Sequence, residues 1–314
     1  MLFFFTIAIA ASGCTATGAP STPGHGSSPP TPTPTPLPPG PHFYITDGHM
    51  PGSIYAYNLP LSSSSTPVLT LQTTGNTPYN PCFDDAGHVV LTFRDTPKIY
   101  VYNLPLNGSS TPAYTLSVPG GSVDCHFDGA GNLYVAAWSA NSVDVFKAPL
   151  TSSSTISSTI TTSVNSPWGV FADSAGNVYV SDLTDQTVYS PLSSGNSLQA
   201  QFGSQFSPYG IVIGPAGDLY VANEMANNEI DVVHAPFSNS STPDASKRIL
   251  MTVTTPTHHV KYISFDSSNN LYAVESDDVD PTFNHIYVFS PPYTGAPLDV
   301  NTGTLTLRGG AVGP

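Results

Sequence analysis

A ten-residue phrase occurs five times along the chain, and this repetition constrains the fold more than any single residue does. The copies are DDAGHVVLTF at 84–93, DGAGNLYVAA at 128–137, DSAGNVYVSD at 173–182, GPAGDLYVAN at 214–223 and DSSNNLYAVE at 266–275. Their starts lie 44, 45, 41 and 52 residues apart. A period of this length is typical of four-stranded units repeated side by side. The sequence therefore predicts one repeat body rather than several unrelated domains.

The composition indicates an all-β protein. Charged residues make up only 9% of the 314 residues, while Pro (32) and Gly (26) are frequent. Long helices with solvated charged faces are not expected from such a chain, whereas short strands joined by many turns are. The formal net charge of −14 repels phosphate backbones and anionic lipid surfaces. We therefore expect no nucleic-acid partner.

The N-terminus has the features of an exported protein. An apolar run from Leu2 to Ala11 leads into A-S-G-C, which ends at Cys14. The run is too short to span a bilayer, and A-S-G-C resembles a bacterial lipobox. The resemblance implies a signal peptide at 1–13 and lipidation of Cys14, although no Lys or Arg precedes the apolar run. The alternative is a buried N-terminal strand with an ordinary cysteine. The first interpretation predicts a lipid-anchored protein of the bacterial cell envelope, periplasmic or on the cell surface, that meets the membrane only through its anchor.

Residues 14–41 are predicted to be a linker that begins at the lipidated cysteine. This segment is rich in Pro, Thr and Ser and contains PPTPTPTPLPPG. Dense proline removes backbone donors and favours a semi-rigid polyproline II spacer. The repeat body is then predicted to span 42–314.

Two cysteines remain, Cys82 and Cys125, in consecutive repeats. Their positions in the repeat differ by one residue, so their side chains need not face each other. The sequence analysis therefore favours two buried thiols, with a disulfide as the alternative.

Each repeat can be divided into four strands. A first strand such as PWGVFAD at 167–173 leads into a D-x-x-G-N turn, where Asp accepts backbone hydrogen bonds and Gly takes the left-handed conformation. The second strand resembles LYVA, and a third strand such as IYVY at 99–102 follows. A Pro- and Ser-rich hairpin then leads to the fourth strand. A calcium loop is the alternative for the turn aspartates, but the ligands that complete such a site are missing.

Four antiparallel strands repeated radially make a β-propeller. Six second strands are predicted, which gives six blades. The N-terminal copy lacks a first strand, whereas 305–314 contains only a first strand. Joined in one blade, the two ends would close the ring and remove its open edges. A truncated chain that lacks a seventh blade is the alternative.

The motifs P-x-G-[VI] and G-N-[LV]-Y-V-[SA]-D resemble those of NHL-repeat and gluconolactonase-like propellers, over about residues 42–314. The motifs are short and describe the fold, so the resemblance implies architecture far more than activity. The resemblance also implies that Asp182, like its equivalents in NHL-like repeats, braces the loop after the strand.

A ligand site is predicted where loops enter the first strands and leave the second strands. This end of the axial channel would gather aromatic, cationic and polar side chains, namely Tyr79, Trp168, Tyr209, Lys261, Asp47, Asp182 and Asn223. Aromatic faces supply contact area and polar groups supply orientation, a mixture that suits a sugar, a peptide or an aromatic molecule. The alternative is that the aromatic rings plug the channel and the carboxylates brace loops. His126 and Trp138 are expected near this face as core residues.

A catalytic or metal site is considered at one constellation. Gluconolactonase-like enzymes hold a divalent metal with Asn or Asp at the x of P-x-G, but here x is Trp168 or Tyr209. Streptogramin lyases place His at such an entrance and Glu at a strand exit, with Mg²⁺. The resemblance implies His258, His259 and Glu275 as the equivalent set, with Glu275 and His259 as metal ligands.

The sequence thus predicts a monomeric, non-catalytic binding or scaffold propeller that presents its channel face to a small molecule, a glycan or a protein, with no cofactor. The alternative is a metal-dependent lyase or lactonase with Mg²⁺ or Ca²⁺ in the channel.

Overall fold

The computed structural model describes residues 35–74, 76–161, 164–183, 187–190, 198–201, 207–224, 228–251, 258–277 and 284–314. Pro34–Pro314 is one compact unit. Cys14, the predicted signal peptide and most of the predicted linker lie outside the described residues.

The short apolar segments form strands, as their alternating pattern predicts. Sheet 1 contains β1 (His42–Asp47), β2 (Ser53–Asn58), β3 (Leu69–Gln72) and β24 (Leu307–Gly313). Sheet 2 contains β4 (Pro78–Phe83), β5 (His88–Phe93), β6 (Lys98–Asn103) and β7 (Tyr114–Ser117). Sheet 3 contains β8 (Asp124–Phe127), β9 (Leu133–Ala137), β10 (Ser142–Phe146) and β11 (Ile156–Ile160).

The remaining strands repeat this arrangement. Sheet 4 contains β12 (Pro167–Ala172), β13 (Val178–Asp182), β14 (Thr187–Ser190) and β15 (Leu198–Gln201). Sheet 5 contains β16 (Pro208–Ile213), β17 (Leu219–Asn223), β18 (Glu229–Val233) and β19 (Ile249–Leu250). Sheet 6 contains β20 (His258–Phe265), β21 (Leu271–Asp277), β22 (His285–Phe289) and β23 (Leu298–Asn301). The fold is an all-β propeller of small antiparallel four-stranded blades, and the prediction of this class is confirmed. The described residues include one short 3₁₀ helix, Trp138–Ala140, and no helix among them is long and apolar enough to cross a membrane.

The first strand of each sheet lies at one edge, and these edges meet around a common axis. Each of the first strands β4, β8, β12, β16 and β20 contacts the next one in this series, and β24 contacts both β20 and β4. In sheet 1 the first strand is β24, which pairs antiparallel with β1 from His42 opposite Gly313 to Asp47 opposite Leu307. The sheet that contains the beginning of the described chain therefore takes its innermost strand from the end.

The D-x-x-G turns have the predicted chemistry. In sheet 3, Oδ1 of Asp128 accepts hydrogen bonds from the backbone N–H groups of Ala130 and Asn132, both at 2.9 Å. Gly131 has a φ of 79°, in the left-handed region that favours glycine. These turns connect the first and second strands, and we call this end of the propeller the turn end. The opposite end, where loops enter the first strands, is called the entrance end.

The structure corrects the expectation of two free thiols, because Cys82 and Cys125 form a disulfide with their Cα atoms 5.8 Å apart. Side chains alternate between the two faces of a strand, so a one-residue offset puts the cysteines on opposite faces of their sheets. Opposite faces of adjacent blades point towards each other. The same core cluster contains Val90 of sheet 2 and Val135 of sheet 3. The offset that argued against the disulfide is therefore what allows it.

The last residues of the predicted linker belong to the propeller. Leu37 is buried in the core cluster between sheets 1 and 2, next to Tyr44 and Leu106. Its backbone N–H donates a hydrogen bond of 2.9 Å to the carbonyl of Leu106. The chain therefore packs against sheets 1 and 2 already at Leu37, because an isolated leucine among prolines can still bury its side chain.

Candidate functional site

The glycine of the P-x-G motif marks where adjacent first strands come closest. A Cβ on Gly169 would lie 2.3 Å from the carbonyl oxygen of Tyr209, and one on Gly210 would lie 2.9 Å from that of Lys261. A Cβ on Gly309 would lie 2.6 Å from the Cα of Asn80. These contacts are too short for any side chain, which explains the glycines.

The same position carries a large or polar residue in the other three sheets, and these side chains meet at the axis. The hydroxyl of Tyr262 donates a hydrogen bond of 2.8 Å to the carbonyl of Val123. The amide of Asn80 donates to Oδ1 of Asp124 at 2.8 Å, and Asn80 Oδ1 accepts from the N–H of Gly310 at 2.9 Å. A polar layer built by β4, β8, β20 and β24 therefore occupies the axis at this level.

The three aromatic residues predicted at the entrance end come together, and they pack against each other. The rings of Tyr79 and Trp168 lie 6.1 Å apart, and those of Trp168 and Tyr209 lie 4.5 Å apart. Trp138 adds a fourth ring 6.4 Å from Trp168, with the Arg94 guanidinium 5.5 Å above it. Tyr79, Trp168 and Tyr209 are each at most 8% exposed, and Lys261 is 3% exposed. Their burial favours the alternative of a packed plug over an open aromatic site.

The polar residues at the ends of the second strands brace the loops that enter the first strands. Asp47 Oδ1 accepts from the N–H of Thr306 at 2.9 Å. Asp182 Oδ2 accepts from the N–H of Ser166 at 2.9 Å, and Asn223 Oδ1 accepts from Ser207 at 3.0 Å. In each case the donor directly precedes a first strand. The recurring geometry indicates a structural role for Asp47, Asp182 and Asn223.

Of the three residues considered for catalysis, the structure brings His258 and Glu275 together and turns His259 away. His258 Nδ1 lies 3.7 Å from Glu275 Oε1, and His258 Nε2 lies 3.2 Å from Asp277 Oδ2. His259 faces Glu224, with its Nδ1 3.6 Å from Glu224 Oε1. Consecutive residues of a strand point to opposite faces, so β20 cannot direct both histidines at Glu275.

This set does not fit a metal centre or an exposed catalytic site. His258 is 3% exposed and Glu275 is fully buried. Glu275 accepts hydrogen bonds from the amide of Asn228 and, at 3.0 Å, from the hydroxyl of Tyr287. Burial raises the pKa of Glu275 to about 7. Within the described part of the chain, no group of three or more His, Cys, Asp or Glu residues could hold a metal ion.

An open cavity lies at the turn end of the axis. It has a volume of about 350 Å³, and residues of all six first strands line it. β4, β8 and β20 end at Phe83, Phe127 and Phe265, whose partly exposed rings form its rim. The polar layer with Asn80, Asp124 and Tyr262 lies at its inner end. Sequence analysis placed the channel site at the other end.

A groove of about 760 Å³ adjoins this cavity and shares Phe83 and Val312 with it. It lies between the turns at Asp84 and Asp266, next to Pro41 and Gly313. The other five sheets have a turn between their first and second strands, but in sheet 1 these strands come from opposite ends of the described chain. The groove therefore follows from the way sheet 1 is assembled.

Besides Tyr262, two titratable groups line the cavity, Asp124 and His126. Asp124 is 3% exposed, and burial raises its pKa to about 7 against the lowering effect of its hydrogen bonds. His126, predicted near the aromatic residues, instead packs against Phe171 at a ring distance of 4.1 Å. Desolvation lowers the pKa of His126 to about 4, so its imidazole is neutral at pH 7. Nδ1 accepts a hydrogen bond of 3.2 Å from the N–H of Ala172.

Sequence reasoning missed Asn80, Asp124 and Tyr262, although a signal was present. Alignment of the repeats places all three at the glycine of P-x-G. Glycine at this position in three repeats indicates that the backbones of neighbouring first strands approach closely there. A larger residue at the same position in another repeat must therefore project into the space around the axis.

Comparison with known proteins supports the architecture. No protein-family model and no curated protein matches the sequence. A protein of unknown function from Bacteroides caccae has a similar structure, with a TM-score of 0.66 at 12% identity over 88% of this chain and 99% of that chain. A nidogen/laminin complex gives 0.63 at 13% identity over 87% and 98%, and a streptogramin B lyase gives 0.50 at 15% over 83% and 73%. At such identities the likeness shows the fold alone, and the fold and cavity define this protein as a β-propeller with an axial cavity.

Proposed function

We propose that this chain is a non-catalytic, extracytoplasmic binding module that holds its ligand in the axial cavity at the turn end. In this proposal the six four-stranded sheets are the blades of a ring that the pairing of β24 with β1 closes. The chain is tethered by lipid at Cys14, as expected from the N-terminal sequence.

The observation that carries the proposal is the contrast between the two ends of the axis. At the entrance end, the described aromatic rings pack against one another, and Trp168 is 8% exposed. At the turn end, the cavity has an apolar rim and a few polar groups at its inner end. Concave, mostly apolar spaces of about 300–1,000 Å³ with a few convergent polar groups are typical of small-molecule sites.

The metal-dependent lyase or lactonase gains no support from the residues considered for it. His258 and Glu275 are enclosed, and His259 points to another blade. Glu275 is already engaged by Asn228 and Tyr287. The bond from Asn228 gives Glu275 a part in holding sheets 5 and 6 together, while His258 contacts Glu275 and Asp277 within sheet 6.

The proposal can be tested with a screen of aromatic and amphiphilic fragments against the purified protein and three variants. Val312→Trp narrows the cavity and the groove, since Val312 lines both. Trp168→Ala alters the entrance end, and Leu250→Trp introduces the same tryptophan side chain at an exposed position. We expect Val312→Trp to remove binding, while Trp168→Ala and Leu250→Trp retain it. Binding that survives Val312→Trp but is lost in Trp168→Ala would place the site at the entrance end, and a screen without any ligand would also contradict the proposal.

The lipid anchor has a separate test. Phase partitioning of the expressed protein in a detergent solution should place the wild type in the detergent phase. Cys14→Ser should move it to the aqueous phase, because stable anchoring depends on the acyl chains. Equal partitioning of the two proteins would contradict lipidation at Cys14.

A further inference from the structure

The inner end of the axial cavity holds a carboxylate that is surrounded by neutral groups. Asp124 Oδ1 accepts hydrogen bonds of 2.8 Å from the amide of Asn80 and from the N–H of Cys125. Asp124 Oδ2 accepts one of 2.9 Å from the N–H of Val170. A carboxylate has about four lone-pair sites, so Oδ2 can accept another donor.

No basic side chain of the described residues balances this charge. The described ion pairs do not include Asp124, and neither Lys nor Arg lines the cavity. His126 lines it but is neutral at pH 7, since its pKa is lowered to about 4. Asp124 is also the one carboxylate among the described residues that line the cavity. Burying a carboxylate without a counter-charge costs free energy, and the positive charge of a bound cationic ligand would offset that cost.

The walls between this carboxylate and the solvent are aromatic and aliphatic. Phe83, Phe127, Phe171 and Phe265 line the cavity together with Ile211 and Val312. Aromatic faces attract a cation and also provide apolar contact area. The cavity thus places a negative charge at its inner end and apolar surface towards its opening.

We propose that the axial cavity binds a primary amine with an aromatic body, whose ammonium group donates to Asp124 Oδ2 while its ring packs among the phenylalanines. This inference rests on the proposed function, because it names the ligand class of the same cavity. A neutral or anionic molecule of the same shape would leave the carboxylate unbalanced.

The ionisation of Asp124 gives the interaction a definite pH dependence. The groups that surround Asp124 come from four first strands: Asn80 on β4, His126 on β8, Val170 on β12 and Tyr262 on β20. Tyr262 also interacts electrostatically with Tyr79, Tyr209 and Arg308. With a pKa of about 7, the carboxyl is mostly protonated at pH 6 and mostly ionised at pH 8. An alkylamine stays protonated over this range, as lysine does with a pKa of about 10. The amine should therefore bind more tightly as the pH rises.

The test is calorimetric titration of the full purified protein with 2-phenylethylamine and with 2-phenylethanol, its neutral counterpart, at pH 6 and pH 8. We expect the amine to bind about tenfold more tightly at pH 8 than at pH 6. The ionised fraction of a group with a pKa near 7 rises by about this factor between the two pH values. The alcohol should bind more weakly, with no dependence on pH. Two variants separate Asp124 from other buried carboxyls.

Asp124→Asn should remove the preference for the amine over the alcohol. Glu275→Gln is the matched control, because it changes a buried carboxyl with a similarly raised pKa outside the cavity, and it should leave binding of the amine unchanged.

Proton release provides a second measurement that does not depend on a variant. In buffers of different ionisation enthalpy at pH 6, amine binding should release close to one proton from the wild-type protein. Binding without proton release, equal affinity for amine and alcohol, or amine binding that Asp124→Asn leaves intact would overturn the inference. If the amine and the alcohol bound with equal affinity and Val312→Trp abolished the binding of both, the inference would fail while the proposed cavity would still be supported. Failure of both probes would overturn the inference, and the fragment screen then decides the proposed function.

Discussion

The hydroxyl of Tyr262 donates a hydrogen bond to the carbonyl of Val123, 2.8 Å away and 139 residues earlier in the chain. It joins sheets 6 and 3 across the axis of the propeller. Tyr262 is almost completely buried, and burial raises its pKa well above that of an exposed tyrosine. The bond therefore lies in the interior of the propeller, and Tyr262 also lines the axial cavity.

Tyr262→Phe should lower the free energy of unfolding by about 1–2 kcal/mol, because a buried carbonyl loses a donor. Urea denaturation measures the change. Tyr293→Phe is the matched control, since the Tyr293 hydroxyl also donates to a backbone carbonyl, at 2.9 Å to Asn269, but at an exposed site. An equal loss of unfolding free energy in the two variants would show that the bond across the axis stabilises the fold no more than an exposed hydrogen bond does.

Gly210→Ala should destabilise the protein by about 1–3 kcal/mol, the usual cost of forcing an atom into a packed site. Its Cβ would lie 2.9 Å from both the Lys261 carbonyl oxygen and the Tyr262 Cα. Gly295→Ala, where nothing lies within 4 Å of the added atom, should be close to neutral. Thermal unfolding of the two variants measures this difference in stability. If Gly210→Ala left the stability unchanged, the first strands would have to lie further apart than they do in this structure.

The disulfide between Cys82 and Cys125 should resist alkylation in the denatured, non-reduced protein and become reactive after reduction. The bond links residues 43 apart in sequence. Replacing both cysteines with alanine should lower the free energy of unfolding by about 2–4 kcal/mol. Adding reductant should destabilise the wild type and leave the double variant unchanged. Alkylation of both residues without reduction would restore the prediction of two thiols.

The pH dependence of stability should contain a contribution from Glu275. Its pKa rises from 4.5 to about 7 on folding, so the folded state binds the proton more tightly. This contribution stabilises the fold at low pH and is lost as the pH rises through about 7. The unfolding free energy of the wild type, relative to Glu275→Gln, should therefore fall between pH 5 and pH 8, by at most about 1.4 kcal/mol per pH unit. Parallel curves for the wild type and Glu275→Gln would contradict the shift.

Much of the fold is readable from the sequence because the repeat is local. The D-x-x-G turn at 128–131 and the alternating strand at 133–137 specify a hairpin without reference to the rest of the chain. The sequence favours two buried thiols over the disulfide, since the disulfide depends on which faces of adjacent blades meet. That relation belongs to the packing of two repeats, and alignment of one repeat with another does not reveal it.

The candidate site was less predictable for a similar reason. The repeat alignment predicts that Tyr79, Trp168 and Tyr209 lie at the same end of the first strands, but whether such a group is open or packed depends on how closely the first strands approach. That distance follows from Gly169, Gly210 and Gly309. The cavity at the turn end depends on side chains from six strands, so no short motif encodes it.

The most direct test of the binding account is a crystal structure of the protein with 2-phenylethylamine. The account predicts the molecule in the axial cavity, with its nitrogen about 3 Å from Asp124 Oδ2 and its ring among Phe83, Phe127 and Phe265. A molecule bound beside Trp168 at the entrance end, or an empty axial cavity with the amine elsewhere on the surface, would contradict it.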